Sequence, residues 1–193
     1  MPAARPRRRP TTPRAAPAGT EPRIREAIAI KTIIIYATKT GTVKRCAALL
    51  AARLGAENTD MFDIANGEPD YTGYDTVVFG TPVRMGMIDA RIRRMIQKCA
   101  ADLRERRYAA FTCNCLLTKA SDAFIRNFSE DFMEHALCMD TFGGEFDVAK
   151  QRGGGKLLLK IMELASKSDP SLKPHNHILP DNIANFAKEL ARE

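Results

Sequence analysis

The stretch Ile33-Ile34-Ile35-Tyr36-Ala37-Thr38-Lys39-Thr40-Gly41-Thr42-Val43 joins an apolar run to a threonine-rich turn. A continuous apolar run of this length is typical of a parallel strand that is covered on both faces. From Val43 onward the apolar residues recur at helical spacing, and Gly55 is placed to end that helix. The stretch therefore predicts a strand, a turn and a helix of an α/β domain.

The turn at residues 38–43 is suited to hold a phosphate group. The first N–H groups of a helix are unpaired and carry a partial positive charge. Gly41 allows an anion to approach the backbone closely, and the threonine hydroxyls are additional donors. The predicted phosphate-binding residues are Thr38, Lys39, Thr40, Gly41, Thr42 and Val43. The alternative interpretation is an ordinary strand–helix turn that uses threonine as a cap.

Strand-like and helix-like segments alternate along the rest of the chain. Further strands are predicted at residues 58–63, 75–79, 108–113 and 137–142. Further helices are predicted at residues 88–103, at 121–132 with Ser121 as N-cap, and after Pro180 with Asp181 as N-cap. Such alternation indicates a parallel sheet with helices on both faces, in which ligands bind at the carboxyl ends of the strands. The loops that begin at Ala37, Gly80 and Asn114 are therefore the candidate site.

Charge and composition divide the chain into two parts. Residues 1–29 contain seven arginines and two glutamates, so they carry +5 of the total net charge of +7. This segment is rich in proline and lacks aromatic residues, and we expect it to be a disordered tail. It is interpreted as a solubilising extension, with a loose tether to anionic lipid or nucleic acid, or a transit peptide, as alternatives. Residues 30–193 are predicted to form one nearly neutral domain, without a specific nucleic-acid partner.

The cysteines and the apolar runs indicate a cytoplasmic location. The five cysteines are dispersed, odd in number and without zinc-site spacing, so we expect reduced thiols and no metal site. No apolar run approaches the roughly 20 residues that a transmembrane helix needs, and no secretory signal is recognised.

The turn at residues 38–43 resembles the phosphate signature of the flavodoxin-like family, Ser/Thr-x-Thr-Gly-x-Thr. Thr38, Thr40 and Gly41 match the signature, whereas Val43 stands where the last threonine is usual. The resemblance implies FMN as the cofactor, with weaker affinity because one hydroxyl donor is lost. It also implies a three-layer α/β sandwich with a five-stranded parallel sheet of order 2-1-3-4-5.

Two further loops extend this resemblance to the flavin ring. In the family, the loops after the third and fourth strands flank the ring. Here these loops contain Thr81, Pro82, Val83, Arg84, Met85 and Gly86, and Asn114, Cys115, Leu116 and Leu117. The spacing of Gly80, Val83, Arg84 and Gly86 is similar to that of the family branch that contains menaquinone-dependent protoporphyrinogen IX dehydrogenase. That branch carries tyrosine and histidine in the second loop, where this chain has Met85, Met87 and Ile88.

The resemblance implies an FMN-dependent oxidoreductase that passes electrons from a reduced substrate to a quinone-like acceptor. Oxidation of protoporphyrinogen, a reaction of haem biosynthesis, is the candidate reaction. The alternatives are an electron-transfer protein that serves a partner protein, and a binding module without FMN. The two flavin loops contain no aromatic residue, which favours an enzyme over an electron carrier. Arg84 is interpreted as a group that orients an acidic substrate or stabilises reduced flavin, or as a solvated loop residue.

The segment at residues 156–167 is apolar except for a narrow stripe of charges at positions 156, 160, 163 and 167. One interpretation is peripheral contact with the inner face of a membrane, because lysines can extend to the headgroups while apolar residues enter the interface. The other is a helix that packs on the domain's own sheet.

Overall fold

The computed structural model describes residues 30–145, 164, 166–169 and 173–192. The tail at residues 1–29 lies outside the described residues. Of the predicted amphipathic segment, residues 164, 166 and 167 are described and are helical, and the other positions from 156 to 167 lie outside the described residues.

Strands and helices alternate along the described chain. The strands are β1 (Thr32–Tyr36), β2 (Thr59–Asp63), β3 (Thr76–Arg84), β4 (Met87–Ile88), β5 (Arg107–Cys113), β6 (Met139–Thr141), β7 (Gly143–Gly144) and β8 (His177–Ile178). The helices are α1 (Thr42–Leu54), α2 (Ala90–Leu103), α3 (Ala120–Asn127), α4 (Glu130–His135) and α5 (Pro180–Leu190). Short 3-10 turns occupy Ile64–Asn66 and Leu117–Lys119.

The main sheet has the order β2-β1-β3-β5-β6, and all of these neighbours are parallel. Counted as parallel strands alone, this order is 2-1-3-4-5, so the predicted topology is confirmed. Two pairings were not predicted: β4 runs antiparallel to the end of β3, and β7 pairs with β8 outside the main sheet. Strands of two residues are too short to show a period of two, which explains why the sequence pattern does not reveal them.

Two hydrophobic clusters lie on opposite faces of the sheet. On one face α1 and α5 cover the sheet, with Leu50, Phe142 and Phe186 buried between them. On the other face α2 and α4 pack on the sheet around Ile92 and Phe132. The structure is therefore a three-layer sandwich, as the alternating pattern predicts. All five cysteines are free thiols, although the Sγ atoms of Cys46 and Cys113 lie 3.6 Å apart in the first cluster.

The single helix predicted at residues 121–132 is wrong. α3 ends at Asn127, and Phe128 has an extended backbone with φ −116° and ψ 146°. Ser129 then caps α4, since its Oγ accepts from the Phe132 N–H at 3.2 Å. Phe124, Phe128 and Phe132 all pack in the same cluster. Their spacing of four residues therefore looks helical in the sequence, although the helix is broken at Phe128.

The start of three helices also differs from the prediction. Ser121 lies inside α3, whose N-cap is Lys119. α5 begins at Pro180 after Leu179, so Asp181 lies in its first turn, where its charge favours the helix N-terminus. Ile88 belongs to β4, and α2 begins two residues later. In each case a turn or a proline determines where the helix begins. The spacing of the apolar residues does not indicate that position.

Candidate functional site

The turn between β1 and α1 leaves the N-terminus of the helix open. Gly41 is the N-cap residue and adopts φ +92°, a left-handed conformation that glycine tolerates without strain. A Cβ atom built on Gly41 has no heavy atom within 4 Å, so there is open space at this point. Thr38 Oγ1 accepts from the Gly41 N–H at 3.0 Å and thereby shapes the turn.

The first N–H groups of α1 are available to an anion. Arg45 N–H bonds to the Gly41 carbonyl at 3.0 Å, so the N–H groups of Thr42, Val43 and Lys44 precede the first helical hydrogen bond. No side chain caps this helix, and its first turn contains no acidic residue. A phosphate group fits this position. Val43 is buried in the core at 1% exposure, so it contributes only its backbone.

A cavity of about 610 Å³ lies beside this turn. Thr38 and Lys39 line it on one side, and Pro82 and Arg84 line it on the other. Residues 87–91 complete the lining. Its volume lies within the range of about 300–1,000 Å³ that is usual for cofactor and ligand sites. The structure thus brings the first two predicted segments together at the carboxyl edge of the sheet.

The second predicted segment is a hairpin, where the sequence analysis expected a loop. β3 continues to Arg84 and pairs with β4, with Val83 opposite Ile88. The turn consists of Met85 (φ 50°) and Gly86 (φ 74°), and Met85 is the only non-glycine residue with positive φ in the described part of the chain. Positive φ at both turn positions is the conformation that tight hairpins prefer.

Thr81 and the third predicted segment have mainly structural contacts. The fully buried Thr81 accepts from the Asp89 N–H at 3.1 Å through Oγ1, which ties the base of the hairpin to α2. Asn114 is also buried, and its Oδ1 accepts from the Leu116 N–H at 2.9 Å. Leu117 begins a 3-10 turn. These contacts give the segment at residues 114–117 a defined shape.

The third segment adjoins the hairpin. Burial raises the pKa of the Cys115 thiol to about 11, and the nearby Arg84 guanidinium acts in the opposite direction on that pKa. Pro82 at the base of the hairpin lies opposite Cys113 at the end of β5, so residues 114–117 follow directly beside the hairpin. Because the thiol is protonated at neutral pH, Cys115 is a packing residue with little nucleophilic character. All three predicted segments therefore converge at one edge of the sheet.

Three residues of this region were missed by sequence reasoning. Asp89 and Arg91 line the cavity, and Asp89 is the N-cap of α2. An aspartate before a helical stripe is a recognisable cap signal, so Asp89 could have been found. Asn127 contacts the hairpin from α3, 39 residues from its partner Ile88. No local pattern marks a contact of this kind.

Asp89→Ala should destabilise the domain by about 1 kcal/mol at neutral pH, because α2 loses its N-cap. Asp89 Oδ1 accepts from the Arg91 N–H at 3.0 Å, and the two side chains form a two-pronged ion pair. The hydrogen bond from the Arg91 side chain is the main cause that lowers the pKa of Asp89 below its ordinary 3.8. The stabilisation is therefore present at neutral pH and is lost as the pH falls through the lowered pKa. Urea unfolding at several pH values measures it.

Asp89→Asn is the matched control for this prediction, since asparagine also caps helices. It should retain most of the stability at neutral pH. Equal losses in both variants would contradict a capping role and would assign the effect to the ion pair.

Comparison with known proteins gives the family. The family model described as "Flavodoxin domain" matches residues 33–171. The chain belongs to the flavodoxin family. Its relatives include protoporphyrinogen IX dehydrogenase [quinone] of Escherichia coli strain K12, which is 24% identical over 173 residues, or 84% of this chain and 95% of the relative. This flavodoxin-family chain therefore aligns with nearly the full length of that relative.

Solved structures that are similar to this flavodoxin-family chain include two flavodoxins. A flavodoxin, WrbA-like protein from Agrobacterium tumefaciens is 15% identical, with a TM-score of 0.45 and coverage of 83% of this chain and 98% of that chain. A Fusobacterium nucleatum flavodoxin bound to flavin mononucleotide is 14% identical, with a TM-score of 0.43 and coverage of 83% and 96%. At the level of the family, the prediction of FMN as the cofactor is confirmed. Within the described residues, no helix is long and apolar enough to cross a membrane.

Proposed function

We propose that this chain binds FMN at the carboxyl edge of its sheet and acts as an oxidoreductase with a quinone-like acceptor. One observation carries the proposal: the open N-terminus of α1 and the β3–β4 hairpin meet at a single cavity. An anion site next to a slot of this size suits a phosphorylated cofactor with an extended ring. Membership of the flavodoxin family supports the same cofactor.

The residues divide into a phosphate side and a ring side. The N–H groups at the start of α1, the hydroxyls of Thr38, Thr40 and Thr42, and Lys39 would hold the phosphate. Pro82 and Arg84, which line the cavity, would flank the ring from the hairpin, whereas Val83 packs against the hydrophobic cluster around Ile92. Residues 114–117 would flank the ring from the other side. Bound FMN would supply the electron-transfer chemistry, while the protein supplies position and charge. The Arg84 guanidinium would stabilise negative charge on the reduced ring or on an acidic substrate.

The absence of aromatic residues from the flavin-flanking segments supports an enzyme. Met87 lines the cavity and is 37% exposed, and Met85 at the tip of the hairpin turn is 84% exposed. A flat substrate can then approach the ring without displacing a stacked aromatic side chain. The printed name of the Escherichia coli relative, a quinone-dependent protoporphyrinogen IX dehydrogenase, supports protoporphyrinogen and a quinone as the candidate donor and acceptor. This would assign the chain to haem biosynthesis.

Peripheral membrane contact through residues 156–167 and a cytoplasmic location are further parts of the proposal. A quinone acceptor is lipid-soluble, so a surface that approaches the bilayer would shorten the path of electrons. The charge stripe and apolar residues of that segment support such contact.

Reconstitution with FMN followed by turnover assays tests the proposal. We expect one FMN per chain and steady reduction of a menaquinone analogue when protoporphyrinogen is supplied. A stable one-electron-reduced flavin during reductive titration, without quinone turnover, would instead favour the electron carrier. Failure to bind FMN would exclude both redox functions and favour the binding module.

A further inference from the structure

The side chain of Asn127 binds the Met85–Gly86 turn and the strand that follows it. Its Nδ2 donates to the Gly86 carbonyl at 2.8 Å and to the Ala123 carbonyl at 2.7 Å. Its Oδ1 accepts from the Ile88 N–H at 3.1 Å. One amide group therefore links the last turn of α3 to the turn of the hairpin and to β4.

The conformation of this turn requires external support. Met85 has φ 50°, a left-handed value that costs free energy for a residue with a side chain. β4 contains only two residues, so the hairpin has few backbone hydrogen bonds of its own. Neighbouring Arg126 also packs close to Gly86, since its Nη1 lies 3.1 Å from the position of a Cβ on that glycine. α3 thus supplies contacts that the hairpin itself lacks.

We propose that Asn127 is a positioning residue that sets the ring side of the flavin site. The inference rests on the proposed FMN site and adds to it a residue that does not line the cavity. Pro82, Arg84, Met87 and Ile88 line that cavity, and all of them belong to the hairpin that Asn127 holds. The phosphate side, at the start of α1, has no contact with Asn127. Loss of this amide should therefore weaken binding of the ring and leave binding of the phosphate unchanged.

Riboflavin separates the two sides, because it carries the ring without the phosphate. Asn127→Ala should weaken riboflavin and FMN by the same factor, about tenfold, which is the net value of one or two hydrogen bonds. Asn182→Ala is the matched control. Asn182 Nδ2 also donates two hydrogen bonds, to Asp140 Oδ1 and the Thr141 carbonyl, both at 3.1 Å, but it joins α5 to β6. This control should lose stability without a change in riboflavin affinity.

Asn127→Asp should make the riboflavin affinity depend on pH, an effect that general destabilisation of the fold does not produce. A carboxylate at this position keeps the acceptor for Ile88 but faces the Gly86 and Ala123 carbonyls without a proton. We expect weak riboflavin binding at about pH 8 and recovery towards about pH 5, because the carbonyls raise the pKa of the introduced carboxyl and its protonated form can donate. The affinities of the wild type and of Asn127→Ala should change much less over this range.

The outcomes distinguish the inference from the proposed function. If the wild type binds no flavin, the proposed function fails, and hydrogen exchange at the Ile88 amide still tests the contact with Asn127. If the wild type binds FMN, three results overturn the inference: unchanged riboflavin affinity in both Asn127 variants, a loss confined to FMN, or the same loss in Asn182→Ala. Urea unfolding of each variant verifies that the binding data refer to folded protein.

Discussion

Thr40→Glu should abolish FMN binding and leave riboflavin binding and the fold intact. The substitution places a carboxylate beside the open N-terminus of α1, where the phosphate is proposed to lie. Two unit charges about 4 Å apart repel by about 4 kcal/mol at an effective dielectric constant of about 20, which corresponds to a loss of roughly a thousandfold in affinity. The same carboxylate interacts favourably with the helix N-terminus, so the free protein should not lose stability. Quenching of flavin fluorescence during titration measures both affinities.

Thr40→Gln is the matched control, because it has nearly the same size without the charge. It should bind FMN at least a hundredfold more tightly than Thr40→Glu, since only the latter carries the repulsion. Stoichiometric FMN in purified Thr40→Glu would contradict the assignment of the phosphate to this turn. Parallel losses of FMN and riboflavin would place residue 40 at the ring instead.

Gly80→Ala should cost about 1–3 kcal/mol of the free energy of unfolding, through overpacking of the core. A Cβ on Gly80 would lie 2.4 Å from Cζ and 2.8 Å from Cε1 of Phe111. Phe111 cannot move away easily, because it is fully buried and stacks on Phe142 with a centroid distance of 4.3 Å. Urea denaturation followed by far-UV circular dichroism measures the change.

Gly73→Ala is the matched control, since a Cβ there has no heavy atom within 4 Å and the backbone does not adopt positive φ. Its effect should stay within about 0.5 kcal/mol. The double variant Gly80→Ala, Phe111→Leu should lose less stability than the sum of the two single losses, because a smaller side chain makes room for the methyl group. If the two substitutions add without interaction, the ring of Phe111 is not the reason for glycine at position 80.

Gly80 shows what a sequence pattern can and cannot predict. The resemblance places this glycine at the start of a flavin loop, whereas the structure places it inside β3, opposite Tyr36 of β1. The need for glycine there comes from a phenylalanine on the neighbouring strand, 31 residues later in the chain. The requirement for glycine at position 80 depends on the register between two strands. That register cannot be derived from a short window of sequence.

The sheet and the strand–turn–helix at residues 32–54 could be predicted because their signals are local. The apolar run at residues 33–35 and the helical stripe that follows Val43 each specify one element, and the alternation specifies their parallel order. The hairpin, the break at Phe128 and the role of Asn127 depend on tertiary contacts. A helix break that keeps its aromatic residues in one cluster looks like a continuous helix in the sequence.

The β7–β8 pair brings the two ends of residues 145–176 together. Gly143 faces Ile178 and Gly144 faces His177, so the positions that flank this segment are adjacent. Gly143 permits this close approach, because a Cβ there would lie 2.4 Å from the His177 carbonyl oxygen. Since the entropic cost of closing a loop depends only weakly on its length, we expect changes in the length of residues 145–176 to alter the free energy of unfolding only slightly.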